Sequence, residues 1–484
     1  MPLVSDNLYP SRLPPRIPLL PSFDSRSGST TVDAKLVNGF MEKDQQGEWW
    51  VNKRPGLVIA GEDAAAGSAS CLGIYYWERF SNFYLITATG LLREDFTTTV
   101  GTVISSPSFV YDFNELITDT LFLKNRTKAY KYVGGVLSQI TTPDYPGNSY
   151  PLVPGSVNLD GTMYVMDYEA RIYGSGLNDL DTWDPLNVVR AQIEPDGGRA
   201  LAKQGSYVVA FKAWTIEFFY NAGAYSGTLT GSTLLPVANA KLPMGYNGGL
   251  QSVDDVLYFV GRNKTIGPGV YSIAGLKLSK ISTYAVDKLL EEAFIKYSWQ
   301  VRLGGHTFYA LQVYALDTTT LLHTVVYDIT AGVWQFWKEN GAAFDVQYSI
   351  ANLYDRVNYL QGAEGSVTRG LGPEIYTDTL VGGGTAAIEV DAITPIFDAG
   401  SNLGKVLSKL RIVADQNSGG SLQIRWSDND YKDWTNWITV NLQDDVPFLT
   451  NLGKFTKRAF QYRHVSPAPF RMSAFEVDLL LCSI

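Results

Sequence analysis

Cysteine and histidine are scarce in these 484 residues: two of the first and three of the second. Cys71 and Cys482 form no short-spaced pair, so no zinc motif can be built from them, and they read as small buried hydrophobes. His306, His323 and His464 sit in separate segments with no HxH or HxxxH spacing, which leaves no local histidine metal site. Charge is thin as well. Asp, Glu, Lys and Arg make up 18% of the chain, and the balance is 39 − 48 = −9. Gripping phosphate needs clustered Lys and Arg, so this balance does not suit nucleic-acid capture; it would suit a surface along which DNA slides, but many soluble proteins carry a similar charge and that is the simpler reading. No run of about 18 apolar residues occurs, so no membrane span is expected. The start, MPLVSDNLYPSRLPPRIPLLPSF, lacks the uninterrupted apolar core of a signal peptide and is broken by Pro10, Pro14, Pro15, Pro18 and Pro21. A cytoplasmic origin is the expectation.

What is abundant points to β-structure. Hydrophobic residues reach 45%, enough for a substantial core. Tyr (29) and Phe (22) favour strands, and 45 glycines punctuate turns. From about residue 32 onward, short apolar runs alternate with polar turns. CLGIYYWERFSNFYLITA, TLFLKNRTKAYKYVGGVLSQIT, TMYVMDYEARIYGSG, SYVVAFKAWTIEFFYNAG and VDDVLYFVGRNKTIGPGVYSIAGLKLSKIS each give strand, turn, strand and often a third strand. Degenerate repeats at roughly 40–60 residues, each of three or four strands, are what propeller blades require. An ordinary multi-sheet sandwich is the alternative. One helix is expected in STYAVDKLLEEAFIKYS, capped by Ser282 or Thr283, with Val286, Leu289, Leu290 and Ala293 on one face.

Three parts follow. Residues 1–30 form an extended, proline-rich arm whose apolar residues favour docking on a neighbour. Residues 31–380 form an all-β propeller. After the glycine run Gly382-Gly383-Gly384, residues 385–484 form a small antiparallel sandwich-like domain.

Catalytic patterns are mostly missing. There is no GxSxG elbow, and GSGL at 174–177 lacks the strand–turn–helix frame of a phosphate loop. Asp428, Asp430 and Asp433 lie close in SDNDYKDWTNW, but without the glycine and distal Glu of a calcium loop, so a capped turn is the simpler reading. Asp167, Glu169, Asp179, Asp181 and Asp184 flank Trp183, which resembles a sugar platform. A polar loop at a blade end with a structural tryptophan is the favoured reading, and no catalytic carboxylate pair stands out. No cofactor and no enzymatic activity are expected.

The order of features resembles the tail nozzle, or packaged-DNA stabilisation, proteins of short-tailed bacteriophages. RPGLVIAG is similar to that family's proline-glycine turn after an opening strand. GPGVYSIAGLKLSKISTYAVDKLLEE is similar to its central strand, turn and short helix. LGKFTKRAFQYRHVSPAPFRMSAFEVDLLL is similar to its glycine, basic residues and final strand pair. The proline-rich start has no counterpart. The resemblance implies a six-bladed propeller and a homo-oligomer, a hexameric ring below the portal and its adaptor in the virion tail, assembled in the host cytoplasm. Its channel lets DNA pass without sequence-specific binding, is closed by a needle or plug, and carries tailspikes or fibres outside. Arg12, Pro14, Pro15, Arg16 and Ile17 in the arm are then interface candidates, and Asp179, Asp181, Asp184 and Glu194 are acidic channel candidates. A carbohydrate-binding or glycan-degrading propeller is the rival reading, recognisable by exposed aromatic platforms or paired carboxylates.

Overall fold

The computed structural model describes residues 16–19, 22–30, 32–62, 71–103, 110–223, 234–317, 319–352, 357–362, 366–416 and 420–481. The chain forms two compact units. One is Gly56–Gly332 with Trp337–Ala386; the other is Met1–Pro55, Val333–Phe336 and Ala387–Ile484.

The first unit is the expected all-β propeller. Six self-contained four-stranded antiparallel sheets are its blades. In chain order they begin at Gly73–Trp77, Asp112–Leu116, Val157–Leu159, Gly198–Gln204, Gly245–Val253 and Tyr348–Asn352. A further group, Phe294–Leu303, His306–Tyr314 and Leu321–Asp328, stands between the last two. The first strand of each group neighbours the first strand of the next, and Tyr348–Asn352 returns to Gly73–Trp77, so seven inner strands close a circle. The final blade borrows its outer strand from far upstream: Gly56–Glu62 pairs antiparallel with Val367–Gly372.

The period of two along each strand explains why such a ring holds. In Thr120–Lys124 every residue is buried. Leu121 and Leu123 point to one neighbouring blade, among Tyr84, Ile86 and Leu92. Phe122 points to the other, among Met163, Val165 and Trp183. The next blade repeats the device. Met163 and Val165 face back, while Tyr164 and Met166 face forward onto Leu201, Val208 and Ala210. One step further, Val208 and Ala210 face back, and Val209 and Phe211 face Leu257 and Phe259. The core is therefore a series of apolar layers between blades, which is why these strands lack the polar alternation of a half-exposed sheet. Close approach matters at the seams. A Cβ on Gly245, which begins its strand, would lie 1.9 Å from the carbonyl oxygen of Ala213 on the preceding blade.

Second-to-third strand turns are closed by side chains. Thr87 accepts from Leu91 N, Asn125 from Thr127 and Lys128 N, Asp167 from Glu169 and Arg171 N, Asn263 from Thr265 and Ile266 N, and Asp317 from Thr319 and Thr320 N. These residue types mimic a backbone turn with their own oxygens. The helix spans Tyr284–Glu291, with the Thr283 side chain accepting from Val286 N and with Ala285, Val286 and Leu290 buried. Ala293 lies beyond its end. Gly382, Gly383 and Gly384 all have positive φ and turn the chain between Thr377–Thr379 and Thr385–Ala387.

The second unit has the expected sandwich-like sheets. Gly39–Lys43, Trp49–Lys53, Arg471–Leu481, Lys405–Ala414 and Phe448–Thr450 lie side by side, with Arg16–Pro18 added on Arg471–Leu481 and Lys454–Phe455 on Lys405–Ala414. Lys35–Val37, Val390–Ile393, Ala459–His464, Ser421–Ser427 and Ile438–Asn441 form the other layer. Phe460 and Tyr462 of one layer meet Phe475 of the other, with ring centroids 5.5 and 5.9 Å apart. The strands at 35–53 thus complete a unit whose other strands lie beyond residue 387.

Candidate functional site

The residues singled out by sequence do not converge. Arg12, Pro14 and Pro15 lie outside the described residues. Arg16 pairs across the ladder with Glu476, donates to its carboxylate at 3.0 Å and reaches Glu48 at 2.6 Å. Ile17 beside it is buried. Asp179, Asp181 and Asp184 lie on Asp179–Arg190, the outermost strand of its blade, and Glu194 follows it. Asp179 accepts from Asp181 N and the Thr182 hydroxyl, and these bonds hold its carboxyl below the usual value. Asp181 pairs with Lys131. Asp184 accepts from Leu186 N, and Glu194 pairs with Lys241 at 2.6 Å.

The local chemistry is structural. Trp183 is only 3% exposed, donates from Nε1 to Leu180 O and meets Tyr145 edge-on, so it offers no sugar a face. Asp167 is buried and binds Arg171, Tyr173 and two backbone amides. Asp428 grips Arg458, Asp430 grips Arg26, and Asp433 accepts from Asn429. The histidines are apart: His306 pairs with Asp328 at 2.8 Å, whereas His464 is fully buried against Phe470. Cys71 is buried, which pushes its thiol up to about 12. Among the described residues no group of His, Cys, Asp and Glu is placed to hold a metal, and no helix is long and apolar enough to cross a membrane.

Composition and spacing gave no signal for two features at the blade junctions. The first is a buried ion cluster. Lys212 Nζ lies 2.7 Å from Asp196 and 2.6 Å from Glu217, and it also donates to the carbonyls of Ala191 and Glu194. Asp196 in turn accepts from Trp214 N and Thr215 N, so the cluster fixes the turn that carries Trp214. A simpler pair, Lys124 with Asp112, also reaches the carbonyl of Val153 before the following blade. The second feature is an open cavity of about 340 Å³ beside this cluster. Tyr168, Arg199, Trp214, Tyr246, Asn247 and Arg262 line it, together with Pro154 and Ala213, and no carboxylate does.

The family model described as bacteriophage P22 Gp10, β-propeller, matches residues 50–358. The chain belongs to this phage structural family. No curated protein matches it. Among solved structures it is similar to the computationally designed Ika8 protein, at 9% identity over 65% of this chain and 99% of that one, TM-score 0.38. It is also similar to the Neurospora crassa Pan2 WD40 domain, at 11% identity over 67% and 96%, TM-score 0.38. A third is the extracellular domain of a putative one-component system from B. thetaiotaomicron, at 10% identity over 85% and 58%, TM-score 0.43. Family membership makes this a virion structural component of a phage.

Proposed function

We propose that the chain is a subunit of a phage tail nozzle. Copies form a hexameric ring below the portal and adaptor, retain and channel the packaged DNA, and support a needle or plug and the tailspikes or fibres. The observation that carries this reading is a closed circle of blades in a chain of a phage structural family. Its work is mechanical and not enzymatic. Arg16–Pro18 is paired within its own unit, so the bridge to a neighbour is assigned to the proline-rich residues before it, and the acidic balance of the chain keeps DNA from sticking. Asp184, exposed and without an ion pair among the described residues, is the strongest channel candidate, since Asp181 and Glu194 are each neutralised by a lysine.

Support for the rival glycan reading is weak, because Trp183 is covered and its neighbouring carboxylates are engaged. Electron microscopy of the purified chain and of tails tests the proposal. Six-fold rings with an open centre are expected. A chain that stays monomeric at micromolar concentration and cleaves or binds glycans overturns it.

A further inference from the structure

The cavity of about 340 Å³ is assembled from three successive blades: Tyr168 on one, Arg199 and Trp214 on the next, Tyr246 and Arg262 on the third. Its walls are held in place. Tyr246 packs on Phe211 at 5.6 Å, and the Trp214 backbone is bound by Asp196, itself locked to Lys212. Its two guanidinium groups are exposed, and among the described residues neither has a hydrogen bond or an ion pair. Elsewhere arginines such as Arg16, Arg171 and Arg458 hold carboxylates. Outside the lining, further cations border the aromatic rings: Lys264 stands 6.0 Å from Trp214, and Arg126 stands 5.0 Å from Tyr168.

The donor and acceptor balance selects the occupant. Guanidinium forks only donate, and the side-chain acceptors of the lining are confined to the Asn247 amide and the Tyr168 and Tyr246 hydroxyls, with no carboxylate to share a sugar's hydroxyls. A group that only accepts fits best, carried on a stem that packs against rings; a carboxylate side chain has this form. A nucleic-acid strand is disfavoured by the chain's net charge of −9 and by the bounded volume. Tyr, Trp and Arg in one pocket are also the composition of protein–protein hot spots.

We infer that this cavity is an inter-subunit socket, in which Arg199 and Arg262 take a carboxylate from an acidic segment of the next copy of this chain. The inference rests on the ring proposed above. In a cyclic ring each contact joins two different surfaces, so a positive socket on one copy meets a separate acidic surface on its neighbour. With 48 acidic against 39 basic residues, the chain supplies such surfaces in excess.

The test compares the full chain with R199E/R262E and R199Q/R262Q. Assembly is followed by mass photometry and sedimentation over a concentration series, and thermal unfolding serves as the check on folding. Removing a buried charge partner should weaken assembly by at least about 30-fold. The reversed pair should be worse than the neutral pair, and unfolding midpoints, read at concentrations below assembly, should be unchanged because neither guanidinium has a partner among the described residues. Should a double variant misfold, R262Q alone provides the comparison. A dT oligonucleotide and an acidic oligosaccharide are titrated in parallel. If the variants assemble like wild type, or if they lose only oligonucleotide or saccharide binding, the socket is refuted while the ring stands. If wild type itself never assembles, the ring proposal falls, and the socket falls with it.

Discussion

Lys212→Met is the sharpest probe of how the blades are joined. The ammonium lies 2.7 Å from Asp196 and 2.6 Å from Glu217, and it donates to carbonyls at 3.3 and 2.8 Å. Lys212 is 0% and Glu217 1% exposed. Removing one partner of a buried pair costs about 3–5 kcal/mol, and here two carboxylates are stranded together, so a loss near about 4 kcal/mol is expected. Equilibrium urea unfolding, followed by tryptophan fluorescence, reads this as a lower midpoint. The pH dependence carries a second signature. In the wild type burial pushes Asp196 up, but Lys212, the Trp214 amide and the Thr215 hydroxyl outweigh it and hold the carboxyl below its usual value. The stability from this group is therefore full above about pH 4 and fades as pH falls further. In the variant burial acts without the ammonium. Only the Trp214 and Thr215 bonds then oppose burial, so the folded carboxyl moves up and less of its stability remains to be lost as pH falls below about 4. The gap between the two proteins should thus be wide at pH 7 and narrower at pH 3. A loss below about 1 kcal/mol, or an equal gap at both pH values, refutes the cluster as an electrostatic lock.

Three further outcomes are expected. Burial, with a smaller push from Lys53, lowers His464 to about 3. Stability linked to this histidine is full above about pH 6.5 and falls by about 2 kcal/mol at pH 5, so His464→Leu should flatten the slope of unfolding midpoints between pH 7.5 and 5. Trp183→Ala should cost about 3–5 kcal/mol in urea unfolding, since the ring is buried between two blades, and should leave any glycan binding unaltered. Gly245→Ala should cost at least about 2 kcal/mol by the same assay, because its methyl group would sit 1.9 Å from a carbonyl oxygen; a neutral result would mean that the seam slides freely.

Local patterns made the blades legible. TMYVMDYEARIYGSG announces Thr162–Met166, the Asp167 turn and Arg171–Gly176, because tyrosine-rich runs and a side-chain cap act over a few residues. The helix was legible through Thr283 and the spacing of Val286 and Leu290. Long-range pairing was not. Nothing near Lys35–Val37 signals that it lies beside Val390–Ile393, and nothing in RPGLVIAG signals a partner at Val367–Gly372. The repeats announce blades but not their number, because the six four-stranded sheets and the further inner strand Phe294–Leu303 are set by how the strands close the circle. The cavity escaped for the same reason. Tyr168, Arg199 and Arg262 are scattered over nearly a hundred positions, and only the radial stacking of three sheets gathers them.

Borrowing Gly56–Glu62 to finish the last blade has a temporal consequence. During synthesis this strand emerges early and must wait, unpaired, until its partner some three hundred positions later has left the ribosome. The zipper then joins in one event, and afterwards tension applied to either end of the circle loads a whole ladder of hydrogen bonds sideways instead of peeling them one by one. Such a latch makes the circle hardest to pull apart where it was closed last.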